Sequence, residues 1–379
     1  MFCLARPPEM LSGELEERVR RLTAAEGFDW EAFVHLCRSH GLAGLAHRHF
    51  QARPALFPST QIAKALRQWA EHTARRNLVQ VHVLGEVVKL LKTHGIAAVP
   101  YKGMLLSHVL YGGLSERYSA DIDLLVLPEA FEEAVRVLAS EGGFAIAPSQ
   151  SDTRFHRSLV CSRTKAHLEL HHSFGSEAYD FPLDRDWIAQ ALEIRLQGWK
   201  FLFLKPEHTI IALCAHGFKH GWARLGWLCD VGLMTCKFPI DWDLLAQEAR
   251  SKGLLRICQI SLRLLRDVLG YDVPDAMTDR VECRRLDRWY ARAIRRYLLG
   301  NAPPLPEWIC YGPSSLLRDQ TTKRMELARY AMARAHPSEK DRATFPLPRI
   351  FAPLLYLWRP IRLVRTYGGE LLKTYRRGL

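Results

Sequence analysis

Two aspartates separated by one residue, Asp121-Ile122-Asp123, open the apolar run Leu-Leu-Val and narrow what this chain can become. Strand side chains alternate between faces, so carboxylates two apart point the same way and can reach one divalent cation. Upstream, Lys102-Gly103 opens an apolar, helix-like run that ends at Gly112-Gly113. A glycine at a helix start leaves backbone N–H groups free, which makes a seat for phosphate. A phosphate seat followed by an acidic pair implies magnesium-assisted nucleotidyl or phosphoryl transfer, because magnesium is commonly held by one or two carboxylates plus substrate phosphates.

An isolated acidic pair of this spacing also arises as a solvated strand end. The preceding glycines, the Leu-Leu-Val continuation and a third carboxylate weigh against that reading here. Glu169 lies in the segment HLELHH, flanked by Leu168 and Leu170, so it shares the opposite face with His167 and His171. A glutamate in a strand of this kind is costly unless it is paired or holds a metal. Lys102 can act as a point charge on a polyphosphate. Arg117 could neutralise phosphates or pair with Asp121, whereas Tyr118 and Ser119 read as turn residues.

The chain has 379 residues, a hydrophobic fraction of 48% and a charged fraction of 25%, the balance of a globular protein of two or three domains. Its net charge of +13 calls for an anionic partner, namely nucleic acid, anionic lipid or a phosphorylated small molecule, unless the arginines are ordinary surface charge. No interleaving of aromatic and basic residues favours base stacking, so nucleic acid is the weaker choice. The nine cysteines form no CxxC pair and no zinc spacing, and they read as reduced thiols of a cytoplasmic protein. Neither a secretory signal nor a spanning helix is expected.

Residues 1–90 read as a helical N-terminal region, with apolar positions at three- and four-residue spacing and Asp29 and Ser59 as caps. Residues 91–205 read as an α/β core. Its expected strands lie at 96–101, 121–127, 144–147, 155–161, 166–172 and 199–204, with helices at 103–111 and 128–140. Residues 206–300 read as a helical region that covers a cleft. Residues 301–379 form a proline-interrupted helical region, with a polar helix at 315–336 and a basic amphipathic tail. That tail suits either an anionic membrane surface or a protein partner, so a membrane-peripheral position is a further expectation.

His216 and His220 share a helix face and could line the cleft, hold a metal or pack between helices. Trp222 and Trp227 read as core residues, with base stacking as the lesser alternative.

Together, Lys102-Gly103, YGGLSERYSADIDLLV, HLELHH, HGFKHGWARLGWLCDVGLM and DWDLL resemble the uncharacterised nucleotidyltransferase family of the polymerase-β-like superfamily, over about residues 80–270. The resemblance implies an α+β fold, namely a minimal nucleotidyltransferase mixed sheet with flanking helices, extended by the terminal helical regions. It also implies use of an NTP with Mg²⁺ or Mn²⁺, with Asp121, Asp123 and Glu169 catalytic and metal-binding. Lys102, Gly103, Arg117, His171, His216 and His220 then make up the expected nucleotide-binding set. The superfamily's usual Gly-Ser before the acidic pair is replaced here by Lys102-Gly103, so triphosphate handling cannot be copied across. The acceptor implied is a peptide, a sugar or a phosphorylated intermediate in peptide or polysaccharide tailoring. The alternatives are a catalytically silent nucleotide-binding scaffold and a terminal nucleotidyltransferase acting on RNA.

Overall fold

Helix α1 (Gly13–Thr23) starts where the Ser12 hydroxyl accepts from Leu15 N, and α2 (Trp30–Ser39) starts where the Asp29 carboxylate accepts from Ala32 N at 2.8 Å. Such caps satisfy amides that have no partner within the helix. Helices α3 (Ala43–Ala52) and α4 (Thr60–Thr93) follow. The computed structural model describes residues 1–57, 60–147, 155–174 and 181–300, with Leu305, Tyr356 and Arg365 as single positions. The expected cap at Ser59, the polar helix at 315–336 and the basic tail therefore lie outside the described residues.

The 34 residues of α4 join two hydrophobic cores. Near its start, Ile62 and Leu66 pack with Val19, Phe33, Phe50 and Phe57 of the N-terminal helices. Toward its end, Val81, Leu84, Val87 and Leu91 belong to a larger core shared with the sheet and the later helices.

That sheet is mixed, in the order β1-β2-β5-β4-β3. Its strands are β1 (Ala98–Pro100), β2 (Ile122–Val126), β3 (Phe144–Ile146), β4 (His156–Cys161) and β5 (His167–His171). Between β1 and β2 lie the short helix α5 (Met104–Leu106) and a π-helical turn, Ser107–Tyr111. Helix α6 (Phe131–Ser140) links β2 to β3 and packs on β3 and β5. β2 and β5 run parallel, whereas β1 with β2, β4 with β5 and β3 with β4 are antiparallel. The parallel register sets Ile122 beside Leu168 and Leu124 beside Leu170, all fully buried. By alternation, Asp123 beside Glu169 and Leu125 beside His171 occupy the opposite face.

After α7 (Arg185–Ala189) comes a separate two-stranded ribbon of β6 (Leu192–Leu196) and β7 (Trp199–Phe203). The strand expected at 199–204 is therefore paired outside the main sheet, with a partner that the sequence reading did not mark. The turn Gln197-Gly198, with both φ values positive (51° and 80°), was the available signal for a hairpin. In β6 the apolar Leu192, Ile194 and Leu196 alternate strictly with Glu193 and Arg195, a strand pattern that the sequence reading overlooked. Helices α8 (Pro206–Lys219), α9 (Leu225–Lys237), α10 (Trp242–Ser251), α11 (Leu255–Leu264), α12 (Arg280–Cys283) and α13 (Arg285–Leu298) complete an α+β fold, a mixed sheet with flanking helices. No helix among the described residues is long and apolar enough to cross a membrane.

Candidate active site

The end of β1 delivers Tyr101 and Lys102 to the same face of the sheet as the acidic residues. The chain then turns at Gly103, whose φ of +71° and ψ of −139° suit glycine alone. A Cβ at Gly103 would sit 3.0 Å from the Ser119 hydroxyl, and that hydroxyl donates to Asp121 O at 2.7 Å. The turn after β1 and the approach to β2 are thus fitted to each other.

The approach itself, residues 112–121, is held from α4. Asn77 donates to Leu114 O at 2.7 Å and to Arg117 O at 2.9 Å, Arg76 donates to Ser119 O and Ala120 O, and Gln80 donates to Ser119 O. Asn77 and Gln80 are buried, and their amides supply partners for loop carbonyls that would otherwise lack them. This polar stripe on a long amphipathic helix was missed in the sequence, where it reads as surface.

Three side chains, Lys102, Glu169 and His171, gather around Asp123. Lys102 Nζ lies 2.8 Å from Asp123 Oδ1, and His171 Nε2 lies 3.3 Å from both Asp123 Oδ1 and Glu169 Oε2. Among the described residues, Asp123, Glu169 and His171 form the one group of metal-type donors, with ligand atoms within 4.8 Å of one another. Asp121 stands just before β2 and is not a member of that group. Tyr101 orients the cluster. Its ring meets that of His171 edge-on at 5.7 Å, and the Lys102 ammonium lies over it at 4.8 Å. Register also brings His156 of β4 beside His171, with ring centroids 5.2 Å apart. Sequence reasoning missed both Tyr101 and His156; the position of Tyr101 next to Lys102 and the place of His156 in a strand were the signals available.

The electrostatics follow from this crowding. Burial disfavours the Lys102 charge, but Asp123 more than compensates and holds the ammonium protonated. Burial likewise opposes ionisation of Asp123, yet Lys102 and His171 keep its carboxyl well below the usual carboxylate range. Asp121 is pushed up to about 6, first by repulsion from Asp123 and then by burial. Contact with His171 lowers Glu169.

From α8, His216 Nδ1 lies 3.3 Å from Lys102 Nζ. An ammonium only donates, so Nδ1 accepts and the proton of the neutral imidazole sits on Nε2. Burial and Lys102 push His216 well down, and burial brings His220 to about 3, so both rings are neutral near pH 7. With Trp227, at ring distances of 5.0 and 5.6 Å, they form an aromatic wall opposite the acidic cluster. Trp222, by contrast, is fully buried, as read from the sequence.

Arg117 is engaged elsewhere. Its Nε donates to Asp230 Oδ2 at 2.8 Å, and NH1 donates to Gly103 O at 3.1 Å. Asp230, on α9, also accepts from the Tyr111 hydroxyl at 2.8 Å. The partner of Arg117 is therefore Asp230 and not Asp121, and the guanidinium ties the Gly103 turn to the helical region.

Several solved structures share features with this chain at low similarity. Two are of the antibiotic-resistance factor ANT(2'')-Ia. Its solution structure is 14% identical with a TM-score of 0.35, covering 46% of this chain and 93% of that one. Its crystal structure in complex with adenylyl-2''-tobramycin is 12% identical, also at 0.35, covering 46% and 98%. A third is an antigenic nucleotidyltransferase-like protein from Paracoccidioides brasiliensis, 15% identical with a TM-score of 0.35, covering 52% and 94%. No curated protein matches. The model of the uncharacterised nucleotidyltransferase family matches residues 26–270, a span that contains the whole acidic cluster, Lys102 and the α8–α9 wall, and the chain belongs to that family.

Proposed function

We propose that this nucleotidyltransferase moves a nucleoside monophosphate from an NTP, with ATP as the first candidate, to a hydroxyl or phosphate acceptor, aided by Mg²⁺ or Mn²⁺. The observation that carries the reading is the pairing of buried Asp123 with half-buried Glu169 on adjacent parallel strands, with Lys102 Nζ 2.8 Å from Asp123 Oδ1. The donors suit a cation. Beyond its ion pair with Lys102, Asp123 Oδ1 is buried without an aligned hydrogen-bond partner among the described residues, and two carboxylates supply the hard oxygens that such ions prefer. Asp123 and Glu169, with Asp121 at the edge, would hold the metal. When bound, it would polarise phosphoryl oxygens and neutralise charge developing on them.

The remaining roles fall to this chain's own groups. Lys102 and the amides after Gly103 would seat the triphosphate. In the alternative role, Glu169, charged near neutral pH, would take the acceptor proton instead of holding the metal. The acceptor oxygen would then attack the α-phosphorus and pyrophosphate would leave. The neutral wall of His216, His220 and Trp227 suits a peptide or sugar hydroxyl better than a second polyanion, which supports a tailoring role. Helices α8 and α9 would close the cleft and choose the acceptor.

The test incubates wild type and Asp123→Asn with each α-labelled NTP, a divalent cation and lysate of the source cell. Label passed to an acceptor by wild type alone, with equal circular dichroism for both proteins, is the expected result. Transfer retained by Asp123→Asn refutes the assignment.

A further inference from the structure

The cluster contains a nitrogen donor that an all-oxygen magnesium site does not need. His171 Nε2 is equidistant, at 3.3 Å, from Asp123 Oδ1 and Glu169 Oε2, yet it makes an aligned hydrogen bond with neither. The side chain is only 8% exposed, and an imidazole buried so deeply would ordinarily direct its N–H at one acceptor. Here the ring nitrogen faces the gap between the two carboxylates. Its orientation is fixed independently by the edge-on Tyr101 ring at 5.7 Å and by His156 at 5.2 Å. The strand places it too, since His171 follows Glu169 by two residues on the same face.

We infer that His171 is a metal ligand and that it tunes the site for Mn²⁺ or a related transition ion over Mg²⁺. The inference rests on the metal-dependent reading above and sharpens it. Magnesium demands oxygen ligands in a tight octahedron, whereas imidazole suits later divalent ions, and affinity for nitrogen donors rises along the first transition row. A site with two carboxylates and one imidazole is a mixed-donor site. The charge also balances. Three carboxylates (Asp121, Asp123 and Glu169) against the Lys102 ammonium and one dication leave no net charge before the nucleotide arrives.

The experiment is Mn²⁺ binding to the full chain, followed by electron paramagnetic resonance, without nucleotide or acceptor. Pulsed spectra should show ¹⁴N modulation from a directly bound imidazole, and the pattern should change when the protein is grown on ¹⁵N-histidine. The modulation should vanish in His171→Asn and persist in His156→Asn. Losing even an orienting partner typically costs about 10–100-fold in metal affinity, so Mn²⁺ affinity should fall at least about tenfold in His171→Asn, and by more than Mg²⁺ affinity does in the same variant. The isotope exchange leaves every contact intact and assigns the nitrogen to histidine even if a variant folds poorly, and the comparison of His171→Asn with His156→Asn assigns it to His171. Mn²⁺ bound without nitrogen modulation, or with modulation that survives in His171→Asn, overturns the role of His171 while leaving the metal-dependent reading in place. Absence of binding by either ion overturns both.

Discussion

Replacing Asp230 with alanine should be among the most damaging single changes available outside the acidic cluster. Asp230 is 1% exposed at its side chain, and its partner Arg117 is 12% exposed. The carboxylate accepts from Arg117 at 2.8 Å on one oxygen and from the Tyr111 hydroxyl at 2.8 Å on the other. Removing it leaves a guanidinium in a place where water cannot replace the lost charge. Breaking a buried pair from one side costs about 3–5 kcal/mol, and Tyr111 loses its acceptor as well, so we expect about 4 kcal/mol for Asp230→Ala. Tyr111→Phe removes a single hydrogen bond to a charged group and should cost about 2 kcal/mol. Arg117→Met should resemble Asp230→Ala, because it strands the opposite charge. The double variant Arg117→Met/Asp230→Ala strands neither, so its loss should be smaller than the sum of the singles by about 2 kcal/mol or more. Urea unfolding followed by both tryptophan fluorescence and far-ultraviolet circular dichroism supplies the four free energies of this cycle. A loss below about 1 kcal/mol for Asp230→Ala, or additive losses in the double variant, would refute the claim that this pair is a buried, mutually dependent tie.

Two further outcomes follow from the same structure. Gly103→Ala forces a backbone conformation reserved for glycine and pushes a Cβ to 3.0 Å from the Ser119 hydroxyl, so it should lower stability by about 1–3 kcal/mol, read as a drop in melting temperature; an unchanged melting temperature would show that the turn is not strained. His208 is fully buried, stacks on Trp187 at 4.1 Å, and has no hydrogen-bond partner at either ring nitrogen among the described residues; burial, and then Lys205, push it down to about 4. Its folded pKa lies below the unfolded value of about 6.5, so the unfolded chain takes up the proton first and stability falls as pH drops from about 6.5 to about 4, by at most about 3 kcal/mol. His208→Phe should remove that part of the slope and stabilise the protein in acid; an unchanged slope between pH 6.5 and 4 would show that His208 does not set it.

Much of the α/β core was legible because its signals are local. The apolar runs around 98–100 and 122–126, the alternation of HLELHH, and the glycine stops at 112–113 and 142–143 depend only on neighbours along the chain. Capping by Asp29 was readable for the same reason. The ribbon of β6 and β7 was half read, since β7 is mostly apolar whereas β6 is short and largely exposed, and the burial that separates the two comes from the packing of β7 on β1 and α4. The polar stripe of half-buried Arg76 and buried Asn77 and Gln80 looked like ordinary helix surface because its partners are loop carbonyls roughly forty residues away.

The sequence by itself determined which residues lie on which face of each strand, and therefore that Asp123 and Glu169 each carry a carboxylate away from the apolar core, because a period of two is a property of the extended backbone. The tertiary structure decided what those carboxylates meet. The parallel pairing of β2 with β5 set Asp123 beside Glu169, the turn at Gly103 brought Lys102 onto Asp123, and the packing of α9 took Arg117 to Asp230, 113 positions along the chain. Charge pairing acts through space over a few ångströms and takes no account of separation along the chain, so only the folded arrangement could choose among the arginines, lysines and histidines that the sequence offered.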